Sequence, residues 1–145
     1  MTQIRRLDHV AVAVRDTEQA LRHFRDRLGL RVTYSEELET PRVRLTYLDA
    51  GNAYVQLVEP LGLDLDLARW IDEHGEGLHH VCFGVDDPLT AAGELAPEGA
   101  PAPAAGSGRG RISSFVPGDL PSGVRIECTE FRYEEDVERT SGWLG

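Results

Sequence analysis

Cysteine is scarce: Cys82 and Cys128 are the only two in 145 residues. Two such distant cysteines make neither a disulfide framework nor a zinc ribbon, and as small buried hydrophobes they need no further role. Long hydrophobic runs are missing too. No stretch approaches the ~18 apolar residues of a membrane span, and no charged-then-apolar leader precedes the first strand-like segment. Basic residues are in the minority, 15 against 25 acidic, which leaves a net charge of −10. A nucleic-acid partner wants a basic face to neutralise its phosphates, so the balance argues against that class. The expectation is a cytoplasmic protein with a small-molecule partner, no nucleic acid and no membrane. An anionic ligand is admitted only where arginines cluster, at Arg5/Arg6, Arg42/Arg44 or Arg109/Arg111. With 41% apolar residues the chain has the material for a sizeable core in one domain.

What the chain does have is a repeat. LDHVAVAVRD (7–16) lies over LHHVCFGVDD (78–87) at an offset of 71 residues, and Leu7/Leu78, His9/His80, Val10/Val81, Val14/Val85 and Asp16/Asp87 coincide. At the other end of each copy, NAYVQLVEP (52–60) falls on GVRIECTEF (123–131), with Gln56 over Glu127 and Glu59 over Glu130. Each histidine precedes its partner by 47 residues. Two copies are too few for a solenoid, so they are expected to pair about a pseudo-two-fold axis.

The elements of the two copies read alike. DHVAVAV is a strand by its β-branched content. Asp16 starts a helix with Gln19 as its capping-box partner; Ala20, Leu21, Phe24 and Leu28 form its apolar stripe and Gly29 stops it. Strands follow over 30–36, 42–49 and 53–59, with AGN (50–52) as a hairpin turn. An amphipathic helix over 64–77, with Leu67, Trp70 and Ile71 on one side and Gly75 at its end, connects the copies. The second copy has a strand over 79–85, a helix from Asp87 with Pro88 at its first position, and strands near 111–116 and 123–129. Residues 97–110, rich in Pro, Gly and Ala, read as a long mobile loop, expected to lie over a binding site. The tail from 132 is acidic, and Trp143 in it is expected to dock, for instance on a second subunit. The organisation expected is one domain over 1–145: module one about 4–60, the connecting helix about 64–76, module two about 77–131, and the tail 132–145.

Alternate side chains of a strand share a face. His9 therefore looks out beside Ala11 and Ala13, and His80 beside Cys82 and Gly84, so each has small neighbours and room for a ligand. Gln56 and Glu127 are each flanked in sequence by apolar residues that point the other way. His79 has Asp8 as its counterpart in the repeat and reads as structural. Two imidazoles, a carboxylate and a carboxamide suit Zn, Mn, Co, Ni or Fe. Equally, they suit a buried polar network of His–Glu and His–Gln hydrogen bonds.

LDHVAVAV, DTEQALRHFRDRLGL (16–30), GNAYVQLVEPL (51–61), WIDEHGEGLHHVCFGVDD (70–87) and SGVRIECTEF (122–131) resemble, in order, segments of the vicinal oxygen chelate (glyoxalase/bleomycin resistance/dioxygenase) superfamily. The GEGLHH and QLVEPL segments are most similar to its methylmalonyl-CoA epimerase branch. The resemblance implies an α+β fold of paired βαβββ modules whose curved mixed sheet surrounds a metal site. It implies a divalent ion (Co, Mn, Ni, Zn or Fe) held by His9, Gln56, His80 and Glu127, with Glu127 also a catalytic acid–base group. The activity implied is that of an isomerase or epimerase working through a metal-stabilised enolate, and the assembly a homodimer.

The chain also departs from that branch. Where some epimerases carry a second carboxylate, it has Leu45, next to Arg44. The family's HPK element is replaced by FVPGDLPSG (115–123), and residues 97–104 are proline-rich. These departures point to a different small oxygenated substrate, with Arg44 and Arg109 as its expected anion-binding residues. Two other functions fit the same scaffold: a glyoxalase-type lyase or iron-dependent oxygenase, and a non-catalytic drug-binding protein. Gln56, where the glyoxalases resembled here usually have Glu, speaks against the lyase. The full ligand set speaks against the drug-binding protein.

Overall fold

The β-branched run at the start of the chain is a strand, β1 (Arg6–Ala13), and Asp16 ends its influence by capping helix α1 (Thr17–Leu21). The Asp16 carboxylate accepts the backbone N–H of Gln19 at 3.2 Å, one of the donors a helix start leaves unpaired. The computed structural model describes residues 1–136; Trp143 and the end of the acidic tail lie outside the described residues. Internal contacts divide the chain into two units, residues 10–79, and residues 1–9 together with 80 onward. Among the described residues no helix is long and apolar enough to cross a membrane.

In the first unit α1 continues as a π-helical turn over Arg22–Arg27, and β2 (Arg31–Glu39), β3 (Arg42–Asp49), β4 (Tyr54–Pro60) and α2 (Asp66–His74) follow. Its strands run in the order β2-β3-β4-β1, with antiparallel pairing of β2 to β3 and of β3 to β4. Strand alternation separates two apolar clusters. Val43, Leu45, Tyr47 and Val58 pack with Ala11; Leu48 and Leu57 pack with Val14 and Leu21. Ala20 and Phe24 join the second cluster as their stripe predicts, but Leu28 is 56% exposed. The π turn explains the difference. Its wider winding, with the Leu28 N–H bonded to the His23 carbonyl, carries Leu28 off the 3.6-residue stripe. Gly75 ends α2 with φ 81°, a conformation that suits glycine.

The second copy of the repeat is β5 (Gly77–Val85), α3 (Pro88–Leu95), β6 (Gly106–Gly108), β7 (Arg111–Phe115) and β8 (Ile126–Glu130). In its unit the order is β1-β5-β8-β7-β6, with β5 parallel to β8 and the β6–β7 and β7–β8 pairs antiparallel. Asp87 caps α3 through the Thr90 N–H at 3.2 Å, repeating the Asp16 device. Val85, Ala91, Ala92, Val116 and Cys128 form the core beneath that helix. Each copy is thus a βαβββ module in a mixed α+β fold. Two details differ from expectation. The loop over 97–110 contains β6, a strand of glycine and serine with no propensity signal, recruited by the backbone ladder of β7. The last strand begins at Ile126, because Pro121–Gly123 form a 3₁₀ turn.

Candidate metal centre

β1 supplies His9 and β5 supplies His80, both buried, at 3% and 7% exposure. Parallel pairing of β5 with β8 sets Glu127 opposite Cys82, two positions beyond His80. The three side chains converge. His9 Nε2 and His80 Nε2 each lie 3.3 Å from the same oxygen, Glu127 Oε1, and the ring centroids are 5.5 Å apart. The ring of Phe115 packs edge-on to His80, with centroids 4.9 Å apart.

The surroundings of the two imidazoles differ. His9 Nδ1 is 2.8 Å from Asp8 Oδ2, which also accepts from Arg109 Nη2 at 2.6 Å. Burial pushes the Asp8 carboxyl up, but the hydrogen bond from His9 and the Arg109 charge outweigh it and bring it to about 2. Burial pushes His9 down, yet its hydrogen bonds to Asp8 and Glu127 leave it above the ordinary histidine value. For His80 burial dominates, Glu127 offsets part of it, and the charges of His9 and Arg125 push the same way as burial; its value is lowered. Burial also pushes Glu127 up, but the two imidazoles hold it well below the usual carboxylate range.

The donor set fits a divalent ion. Nitrogen from two histidines and oxygen from one carboxylate, all within 4.8 Å of one another, are ligands for Zn, Mn, Co, Ni or Fe. Two Nε2···Oε1 separations of 3.3 Å are long for charge-assisted hydrogen bonds, which run about 2.7–2.9 Å. A network satisfied purely by His–Glu hydrogen bonds would be tighter. His9 also meets the usual condition of a ligating histidine, its other nitrogen held by a carboxylate. Asp8, His9 and Cys82 form a second convergent group. It is the poorer site: burial pushes the Cys82 thiol well up, whereas thiolate is the ligand.

The other residues singled out in the sequence have definite places. Gln56 is in the first unit, buried on β4. Its Nε2 donates to the Tyr47 hydroxyl at 2.8 Å, and its Oε1 is buried without a hydrogen-bond partner. Arg44 pairs with Glu18 at 2.9 Å, while its neighbour Leu45 is buried in the opposite cluster. Arg109, expected to meet an anionic ligand, meets Asp8. His79 packs edge-on against Trp70, a structural role. The room expected beside Gly84 is taken: a Cβ there would sit 3.2 Å from Arg6 and 3.5 Å from Phe131.

Sequence reasoning missed Asp8. Alternation sends it to the face opposite His9, but Nδ1 is the ring nitrogen nearer the backbone, within reach of the preceding short carboxylate. The available signal was an acid inside an apolar strand, beside a candidate ligand.

The glyoxalase/bleomycin resistance protein/dioxygenase superfamily model matches residues 8–115. The chain belongs to this superfamily. Within the superfamily it is 37% identical over 91 residues to the mitochondrial methylmalonyl-CoA epimerase of Mus musculus, a match over 62% of this chain and 51% of that protein. It is 34% identical over 98 residues to an ethylmalonyl-CoA/methylmalonyl-CoA epimerase of Cereibacter sphaeroides, over 67% of this chain and 73% of that one. The chain thus spans about half the length of the mouse relative. A solved methylmalonyl-CoA epimerase in complex with methylmalonyl-CoA and ammonium superposes with a TM-score of 0.75 at 28% identity, covering 88% of this chain and 95% of that one.

Proposed function

We propose that the chain is a metal-dependent epimerase that exchanges the α-proton of a 2-carboxyacyl thioester of the methylmalonyl-CoA type. The convergence of His9, His80 and Glu127 carries this reading, in a chain whose relatives bear that activity in their names. His9, His80 and Glu127 are the protein ligands, with Gln56 as the fourth. The equal 47-residue spacing and the unpaired Gln56 Oε1 support that choice. The ion is Co, Mn, Ni, Zn or Fe; when bound it supplies the positive charge that stabilises an enolate oxygen.

The chain's own residues do the rest. Glu127 accepts the α-proton as the C–H electron pair moves into the enolate, exchanges it with solvent, and returns a solvent-derived proton to the same carbon. Arg44 and Arg109 are engaged by Glu18 and Asp8, so neither is assigned to the substrate's anionic groups. With Leu45 in place of a second carboxylate, Glu127 is the sole carboxylate assigned to proton transfer. Glu127 alone gives exchange with retention; inversion needs a solvent proton delivered to the opposite face of the enolate, so exchange is faster than inversion. The same reading has the chain at work in the cytoplasm, where two free buried cysteines suit a reducing compartment, and as a homodimer, for which the 71%-exposed Leu78 offers apolar surface.

Proton–deuterium exchange on methylmalonyl-CoA in heavy water, followed by NMR with cobalt-loaded protein, tests the proposal. Metal-dependent loss of the α-proton signal, ahead of racemisation, is the expected result. Absence of exchange with each of the five metals overturns it. The same two-His, one-carboxylate set favours a second reading, an iron-dependent oxygenase. Oxygen uptake by the iron-loaded protein with a catechol-type substrate would select it.

A further inference from the structure

Arg109 and Gly110 form the two-residue connection between β6 and β7. Gly108 pairs with Arg111, and the two connecting residues have φ of 55° and 69°. Positive φ at both central positions is the type I′ pattern, which favours Asn, Asp or Gly at the first of them. An arginine there keeps its backbone in a region its Cβ disfavours. Its side chain does not lie in solvent. It is 11% exposed and donates from Nη2 to Asp8 Oδ2, an oxygen that is itself 2.8 Å from His9 Nδ1.

Paired with the Arg109 guanidinium, Asp8 is a carboxylate, and a carboxylate has acceptors only. That assigns the hydrogen between Asp8 and His9 to Nδ1. The lone pair of His9 is then on Nε2, the nitrogen aimed at Glu127. A strained turn residue, a buried carboxylate and a ligand histidine therefore form one continuous chain of contacts, within one unit of the fold.

We propose that Arg109 is a positioning residue for the metal centre: by holding Asp8 it orients His9, so the β6–β7 turn sets how tightly the centre binds its ion. The inference rests on the metal reading given above. It assigns to Arg109 a task different from anchoring the substrate. It also accounts for arginine at a position where the turn itself favours asparagine.

Cobalt(II) titration of the whole protein tests it, read by calorimetry and by the visible absorption of the bound ion, on wild type, Arg109→Asn and Arg109→Lys. Asparagine suits the turn, so that variant keeps the fold, which thermal unfolding of the metal-free proteins verifies. The expected result is a Kd about 10–100-fold higher for Arg109→Asn, with a changed cobalt spectrum, and an intermediate value for Arg109→Lys. An ion pair serving stability alone would lower the melting temperature and leave Kd and spectrum unmoved; that result overturns the inference and leaves the metal reading intact. Wild-type protein that binds no cobalt overturns both.

Discussion

His9 and His80 occupy equivalent positions of the repeat, 71 residues apart, and face the same carboxylate oxygen at the same 3.3 Å. Their backs differ. His9 has Asp8 and Arg109 behind it, and His80 has the ring of Phe115 beside it. Burial alone would lower both imidazoles, yet only His9 has enough acceptors to end up raised. The repeat thus places the ligands symmetrically, while the layer behind them is built separately in each copy. Ligand positions follow from strand register, which duplication copies. Supporting contacts come from whichever loop or strand lies next to each histidine.

The sharpest test of the common part is the group both histidines share. Glu127→Gln should reduce α-proton exchange by about 10²–10⁴-fold, measured by NMR, because it removes the proton acceptor and weakens the ligand set. Undiminished exchange would show that another group takes the proton. A second test compares equivalent core positions, Leu57 and Cys128, both fully buried. Leu57→Ala should cost about 2–5 kcal/mol in urea unfolding, since it empties a packed cluster. Cys128→Ala removes a single heavy atom and should cost less.

The asymmetric part is tested behind each histidine. Asp8→Asn should raise the cobalt Kd about 10–100-fold. Phe115→Leu should change it by only a few-fold, since an edge-on aromatic contact is worth about 0.5–1.5 kcal/mol. Equal effects of the two would erase the distinction drawn between the histidines. The smallest effects belong to the helix caps. Asp16→Ala and Asp87→Ala should each lower the melting temperature slightly, Asp87→Ala the more, because both remove an acceptor at 3.2 Å from a helix N–H and Asp87 also accepts from the Thr90 hydroxyl at 2.8 Å.

Much of this was legible in the sequence because the relevant signals are local or periodic. Alternation picked out His9, His80 and Glu127, whose side chains converge, and the equal spacing singled out Gln56, which is buried on β4. Asp16 and Asp87 announced their helices by side-chain chemistry. The parts that were hidden depend on distant contacts. Arg109 reaches Asp8 across 101 positions of sequence, and nothing near either residue records it. β6 exists because β7 offers it a ladder, since Gly106, Ser107 and Gly108 have no strand preference of their own. Leu28 fits a helical stripe in sequence and leaves it because the helix changes its winding at Arg22–Arg27. The glycine at 84 looked like space, and Arg6 and Phe131 fill it.

The central claim is that His9, His80 and Glu127 are a metal centre and not a sealed polar network. Elemental analysis of the purified wild-type protein beside a His80→Ala/Glu127→Ala double variant tests it most directly. The account predicts one divalent ion per wild-type chain and none in the variant. Wild-type protein that takes up no Mn, Co, Ni, Zn or Fe on incubation, or a double variant that retains its ion, would contradict it.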